Sequence, residues 1–218
     1  MTTAGPSAKP PLVFIVDDDP SVRKSLVRVL TSGAYETEAF VSAHEFLARG
    51  AYDGPCCLVL DVRMPDLTGL ELQEKLMGTG HRVPVIFMTG HGDIAMSVEA
   101  MKRGAVDFLT KPFDADSLLE AVGRALAQDT KSRGDEGQTA EVLERAKLLT
   151  AREAEVFALV VTGMLNKQIA GELGIAEKTV KVHRARVMEK MRAGSLAELV
   201  RLADRAGIVV PGGARRGA

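Results

Sequence analysis

The chain is predicted to fold as an α/β domain followed by a smaller all-helical one. Three observations predict this. Short apolar runs alternate with amphipathic segments up to about residue 127, and no strand pattern occurs beyond about residue 148. The charge also changes sign: residues 1–127 carry 12 Lys and Arg against 17 Asp and Glu, whereas residues 148–218 carry 12 against 7. The alternation, with largely apolar central strands, specifies a doubly wound, five-stranded parallel sheet with helices on both faces. An acidic front and a basic back point to two domains with different partners, the basic one a candidate for nucleic acid.

The elements follow in order. "PLVFIVD" reads as a strand, and "SVRKSLVRVLTSG" as a helix ended by Gly33. "AYETEAF" alternates like a strand, and "SAHEFLARG" is a short helix ended by Gly50. "CCLVLD" is a buried strand and "LTGLELQEKLMG" a helix; "VPVIFMTG" and "DIAMSVEAMKRG" repeat the pair. "AVDFLTK" and "DADSLLEAVGRALAQ" complete five β-α units over residues 12–127. Residues 128–147 are polar, with Gly and Ser breakers near their start, and read as a linker that can regain helix at "AEVLERAK". Residues 148–210 hold four helices, "LTAREAEVFALVVTG", "NKQIAGELG", "EKTVKVHRARVMEKM" and "SLAELVRLADRAG". Thr150 and Glu153 have capping-box spacing at the start of the first. The ends, "MTTAGPSAKPP" and "VPGGARRGA", read as flexible tails, the first without an export signal.

Other classes are disfavoured. Runs such as "CCLVL" are too short to span a bilayer. Cys56 and Cys57 are strand neighbours that point to opposite faces, which argues against a disulfide and for a reducing, cytoplasmic setting. The four histidines are scattered without zinc-ligand spacing.

Ligands of such sheets bind at the carboxyl ends of the strands. There the sequence places Asp17 and Asp18 after the first strand, Asp61 at the end of the third, Thr89 at the fourth and Lys111 at the fifth. If the first and third strands are neighbours, three carboxylates converge and repel unless a hard cation such as Mg2+ joins them. A hydroxyl and an ammonium beside them suit a phosphoryl group, with a carboxylate as nucleophile. Asp19, followed by Pro20, fits a helix N-cap instead.

The motifs "IVDDDP", "LVLDVRMPDLTGLEL", "IFMTGHGD" and "AVDFLTKPF" resemble the flavodoxin-like receiver domain of two-component response regulators. The resemblance implies strand order 2-1-3-4-5, Asp61 as phosphoacceptor, and Mg2+ held by Asp18, Asp61 and the backbone carbonyl of Arg63, with Asp17 acting mostly through water. It further implies Thr89 and Phe108 as a switch pair, Lys111 as the phosphate partner, and a cis Lys111–Pro112 bond. Arg63 and His91 lie beside the phosphate in that family and vary among its members.

"LTAREAEVFALVVTGMLNKQIAGELGIAEKTVKVHRARVMEKM" resembles the LuxR-type helix-turn-helix of the FixJ/NarL family. Val180, Val187 and Met191 share the apolar face of its recognition helix, and Lys178, Lys181, His183, Arg184 and Arg186 surround it. The resemblance puts Lys181, Val182, Arg184 and Ala185 at positions facing bases or nearby backbone, and Thr179 and Lys167 at phosphates. Ala176 stands where the family often has a Ser or Thr cap.

Together these imply a non-enzymatic transcription regulator. A sensor histidine kinase phosphorylates it on Asp61 with Mg2+, and it then dimerises, with Val98 and Lys102 as candidate surface residues, and binds double-stranded promoter DNA. RNA polymerase is a further partner open to such a regulator, and no membrane is expected. Two rivals make different demands. A Mg2+-dependent phosphatase of the haloacid dehalogenase kind needs a D-x-D pair, which Asp17 and Asp19 satisfy in spacing. A constitutive DNA binder would be indifferent to Asp61.

Overall fold

A computed structural model of the chain describes residues 9–78, 83–90 and 94–208, with the backbone alone for 94–97. Residues 1–8, the tail "VPGGARRGA" and His91 lie outside the described residues. Five parallel strands, β1 (Leu12–Val16), β2 (Glu36–Phe40), β3 (Cys56–Asp61), β4 (Val85–Thr89) and β5 (Asp107–Thr110), lie in the order β2-β1-β3-β4-β5. The expected order is the observed one. Central strands β1, β3 and β4 are buried throughout, which their unbroken apolar runs require. Helices α1 (Pro20–Ser32), α2 (Ala43–Ala48), α3 (Gly69–Gly78), α4 (Ile94–Lys102) and α5 (Ala115–Lys147) connect and follow them.

Alternate residues of each strand enter one of two cores. Phe14, Leu58 and Phe87 share one with Phe40 and Phe46, whereas Ile15, Val59 and Ile86 share the other with Leu26, Leu118 and Val122. Cys56 faces the first and Cys57 the second, and both are free thiols. Burial pushes both thiols up, Cys56 to about 11, so neither is poised as a nucleophile.

Register sets up the rim. Val16 pairs with Leu60, so Asp17 and Asp61, the next residues, stand abreast at the strand ends. Thr89 pairs with Thr110 at the far ends of β4 and β5, and Lys111 follows. The Lys111–Pro112 bond is cis.

Residues 128–147 depart from a breaker-rich linker: α5 runs through all of them. The chain divides into two compact units, Met1–Arg133 and Gly134–Ala218, at a boundary inside this helix. Within the first unit the buried Asp129 carboxylate accepts from Cys56 N–H (2.9 Å) and from Arg133 Nε (2.7 Å), and Arg133 also donates to the Tyr52 carbonyl. Within the second, Val142 is buried and Arg145 donates to the Met191 carbonyl. Anchors on each side of the glycines hold a helix that composition alone would break.

The second unit adds α6 (Ala151–Val160), α7 (Asn166–Leu173), α8 (Glu177–Met191) and α9 (Leu196–Arg205) around one apolar core. The capping box is formed: Thr150 Oγ1 accepts from Glu153 N–H and the Glu153 carboxylate from Thr150 N–H. Gly174 closes α7 in the left-handed region, φ 63°, which a Cβ would disfavour. Ala176 caps α8 without a side-chain hydrogen bond.

Candidate functional site

The acidic pocket is built from strand ends. Asp17 is 1% exposed; its Oδ1 accepts from Asp19 N–H (2.8 Å) and its Oδ2 from Lys111 Nζ (2.8 Å). The same ammonium donates to Asp61 Oδ1 at 2.6 Å, and Asp61 Oδ2 accepts from Arg63 N–H at 2.8 Å. Lys111 therefore bridges the carboxylates that end β1 and β3. Burial raises the Asp61 pKa, opposed by the Lys111 ammonium. For Lys111 itself burial works against the charge, but its hydrogen bonds to Asp17 and Asp61 outweigh that and hold its pKa above the ordinary lysine value.

Close packing shapes the floor. A Cβ on Gly69 would lie 2.5 Å from the Asp61 carbonyl oxygen, so the turn from β3 into α3 has room for no side chain there. Thr89 is buried, and its carbonyl accepts from Lys111 N–H. Phe108 is half-buried on β5, its ring 6.5 Å from that of Phe87.

Asp18 is exposed, and among the described residues its carboxylate has no hydrogen-bonded or ion-paired partner. Asp19 caps α1, accepting from Ser21 and Val22 N–H, and these bonds lower its pKa. That use accounts for Asp19 as a helix cap, as its sequence position before Pro20 predicts. Among the described residues no three His, Cys, Asp or Glu side chains form a ready metal-binding group. Mg2+ does not need one, since it takes one or two carboxylates and fills its octahedron with waters and carbonyls. The donors expected from the sequence, Asp18, Asp61 and the Arg63 carbonyl, are all oxygens and so of the class that Mg2+ takes.

On the basic helix, Val180, Val187 and Met191 are fully buried and lock α8 to its domain. Lys167, Thr179, Lys181, Val182 and Ala185 are exposed. Arg184 differs: it is half-buried, and its Nη1 donates to Asn166 Oδ1 (3.1 Å), bracing α8 against the start of α7. Lys181 lies 3.5 Å from Glu177 one turn away, an exposed pair of little strength. Val98 and Lys102 are exposed on α4.

Three contacts were not legible from motif reading. Glu153, 2% exposed, pairs with Lys190 of α8 at 2.6 Å, and Asn166 holds Arg184. Arg23 of α1 donates to the Asp17 carbonyl at 2.6 Å. Only Arg23 had a signal, a cation in the first turns of a helix that carries no acid there.

A doubly wound sheet with acids and a lysine at its rim, joined to a helix-turn-helix unit, defines a regulator with a receiver and a DNA-binding module. The response regulator receiver domain family matches residues 13–123, and the luxR family of bacterial regulatory proteins matches residues 147–203. The chain belongs to the two-component response regulators that carry a LuxR-type DNA-binding domain, and it is a transcription factor of that family. It is 49% identical over 197 residues to nodulation protein W of Bradyrhizobium diazoefficiens, covering 90% of this chain and 87% of that protein. Against the transcriptional regulatory protein FixJ of Azorhizobium caulinodans it is 45% identical over 196 residues, 90% and 93% of the two chains. Among solved structures, the response regulator StyR matches with a TM-score of 0.79 at 46% identity, over 90% of this chain and all of that one. Full-length FixJ from B. japonicum matches with a TM-score of 0.56 at 41% identity, over 93% and all of the two chains.

Proposed function

We propose that the regulator is switched by transfer of a phosphoryl group from a histidine of a sensor kinase to Asp61. The observation that carries this reading is the Lys111 ammonium held between Asp61 and Asp17 at the strand ends. In the transfer an Asp61 carboxylate oxygen bonds to phosphorus, the P–N bond of the donor breaks, and the imidazole nitrogen keeps the electron pair. Asp18, Asp61 and the Arg63 carbonyl would hold Mg2+, with Asp17 beside them, and the ion when bound would neutralise charge on the phosphoryl oxygens. Lys111 shifts its hydrogen bonds to the new phosphoryl oxygens, Thr89 donates its hydroxyl to another, and Phe108 repacks. Hydrolysis resets the pocket: a water oxygen bonds to phosphorus, the bond from phosphorus to the Asp61 oxygen breaks, and inorganic phosphate leaves.

Repacking at β5 alters the exposed surface of α4, where Val98 and Lys102 join two copies of the chain. A dimer presents two α8 helices to a two-fold promoter site. Lys181, Val182 and Ala185 face bases, Lys167 and Thr179 reach phosphates, and Arg184 reaches the backbone from its brace on Asn166. The setting is the cytoplasm, where kinase, DNA and RNA polymerase are all accessible; among the described residues no helix is long and apolar enough to cross a membrane.

Intact-mass spectrometry after treatment with acetyl phosphate and Mg2+, and separately with the phosphorylated kinase, tests the pocket. A single phosphoryl adduct on the wild type and none on Asp61→Asn is the expected result. No adduct from either donor would leave a constitutive DNA binder.

A further inference from the structure

Arg23 is the unexplained charge at the pocket. It is the fourth residue of α1, in the first turns of a helix with no acidic residue there, so the helix dipole works against a cation. Among the described residues no carboxylate pairs with it. Its Nη1 instead donates to the Asp17 backbone carbonyl at 2.6 Å, a half-buried side chain reaching back six residues. A local rule broken beside a functional pocket is where a dedicated role is expected.

The Asp17 carbonyl belongs to the peptide plane that leads into Asp18. The Asp17 side chain is fixed on both oxygens, by Asp19 N–H and by Lys111, but neither contact fixes the next residue. Asp18 is exposed and its carboxylate has no partner among the described residues. The one observed constraint on the peptide into Asp18 from outside the loop is therefore Arg23. Because it bonds the backbone carbonyl and not a carboxylate, it orients the acid without occupying it.

Resting on the phosphoacceptor reading above, we infer that Arg23 is a positioning residue for divalent-cation binding, holding the Asp17–Asp18 peptide and so limiting the directions the Asp18 carboxylate can take. Two effects of removing it oppose each other. Loss of a positive charge near acids tightens Mg2+ binding, an effect that added salt reduces. Loss of the hydrogen bond loosens Asp18 and weakens binding at any salt. A charge-assisted bond to a carbonyl at a half-buried position is the larger of the two once salt is raised.

The test is Mg2+ titration of the unphosphorylated full chain by calorimetry, at low and high salt, for wild type, Arg23→Met and Arg23→Lys. For Arg23→Met, the expected high-salt result is Mg2+ binding weakened about fivefold, the loss of one partly solvated charge-assisted hydrogen bond. Arg23→Lys, which keeps a charge and a donor, stays within about twofold of wild type. Labelling by acetyl phosphate then needs more Mg2+ for half its maximal rate in Arg23→Met, while the maximal rate is unchanged. Unaltered or tighter Mg2+ binding by Arg23→Met at high salt overturns the assignment, as does a loss of maximal rate without a shift in Mg2+ dependence. A wild type that neither binds Mg2+ nor gains the adduct overturns the underlying reading instead. Matching thermal unfolding of the three proteins excludes a general loss of fold.

Discussion

At the residue scale, Glu153 ties the start of α6 to the end of α8 through Lys190. Its carboxyl is drawn down from the ordinary 4.5 to about 2, first by the Lys190 hydrogen bond and then by the backbone of Thr150. A folded-state pKa below the unfolded one means that the unfolded chain binds the proton more readily. The stabilisation is therefore complete above pH 4.5 and is lost as the pH falls towards about 2. The helical unit is expected to lose thermal stability through that window, and Glu153→Gln is expected to start lower and show a flatter profile. Equal slopes in pH-dependent calorimetry would assign the acid lability to other carboxylates. The legibility of single residues divides along the same line. The positions of Asp17, Asp61, Thr89 and Lys111 could be read from sequence because each ends or directly follows a strand, and strand ends of a parallel sheet converge whatever the packing. Glu153 was legible only as a cap, since its partner lies 37 residues away and no local pattern connects them. Arg184 had the charge of a DNA contact, and its brace on Asn166 depends on how α7 crosses α8.

At the scale of elements, strands and short helices followed their patterns because burial and periodicity agreed. The middle of α5 did not. Gly134 and Gly137 favour a turn, and each costs a helix about 1 kcal/mol relative to alanine. The structure keeps the helix because Asp129 and Arg133 anchor one side and Val142 and Arg145 the other. Both anchors are made across long sequence separations, which is why composition missed them. Gly134, Asp135, Glu136, Gly137 and Gln138 are all exposed, and a Cβ at either glycine would meet nothing within 4 Å. Alanine can therefore be added without a clash. Gly134→Ala with Gly137→Ala is expected to stabilise this turn by about 1–2 kcal/mol in total. Amide exchange over residues 135–139 should slow accordingly, while exchange in β1 and β3 stays the same. Unchanged exchange across the turn would mean that the anchors already suppress its opening.

At the scale of the whole molecule, the acidic front and basic back correspond to two units whose cores share no cluster. On the function proposed above, a phosphoryl group in the first raises DNA affinity in the second, and joining two chains would achieve this without a wire between pocket and recognition helix. In such a dimer one bound α8 would hold the second at a high effective concentration over its half-site, so affinity would rise with no new base contact. Val98 is the informative position. It is 49% exposed on α4, with Met101 at 47%, and neither is needed for the apolar core of the sheet. Val98→Glu puts an unpaired charge into the proposed apolar contact of both copies and should block association. The variant is expected to take up phosphoryl at Asp61 like the wild type and to bind a single half-site with wild-type affinity. On a two-fold site it should lose the gain from phosphorylation, about tenfold or more on the scale of linked binding. Sedimentation and DNA titration on matched half and full sites separate the steps. A phosphorylated Val98→Glu that still dimerises places the contact elsewhere on the receiver, and one that stays monomeric yet keeps the full gain shows that phosphorylation reaches α8 within a single chain.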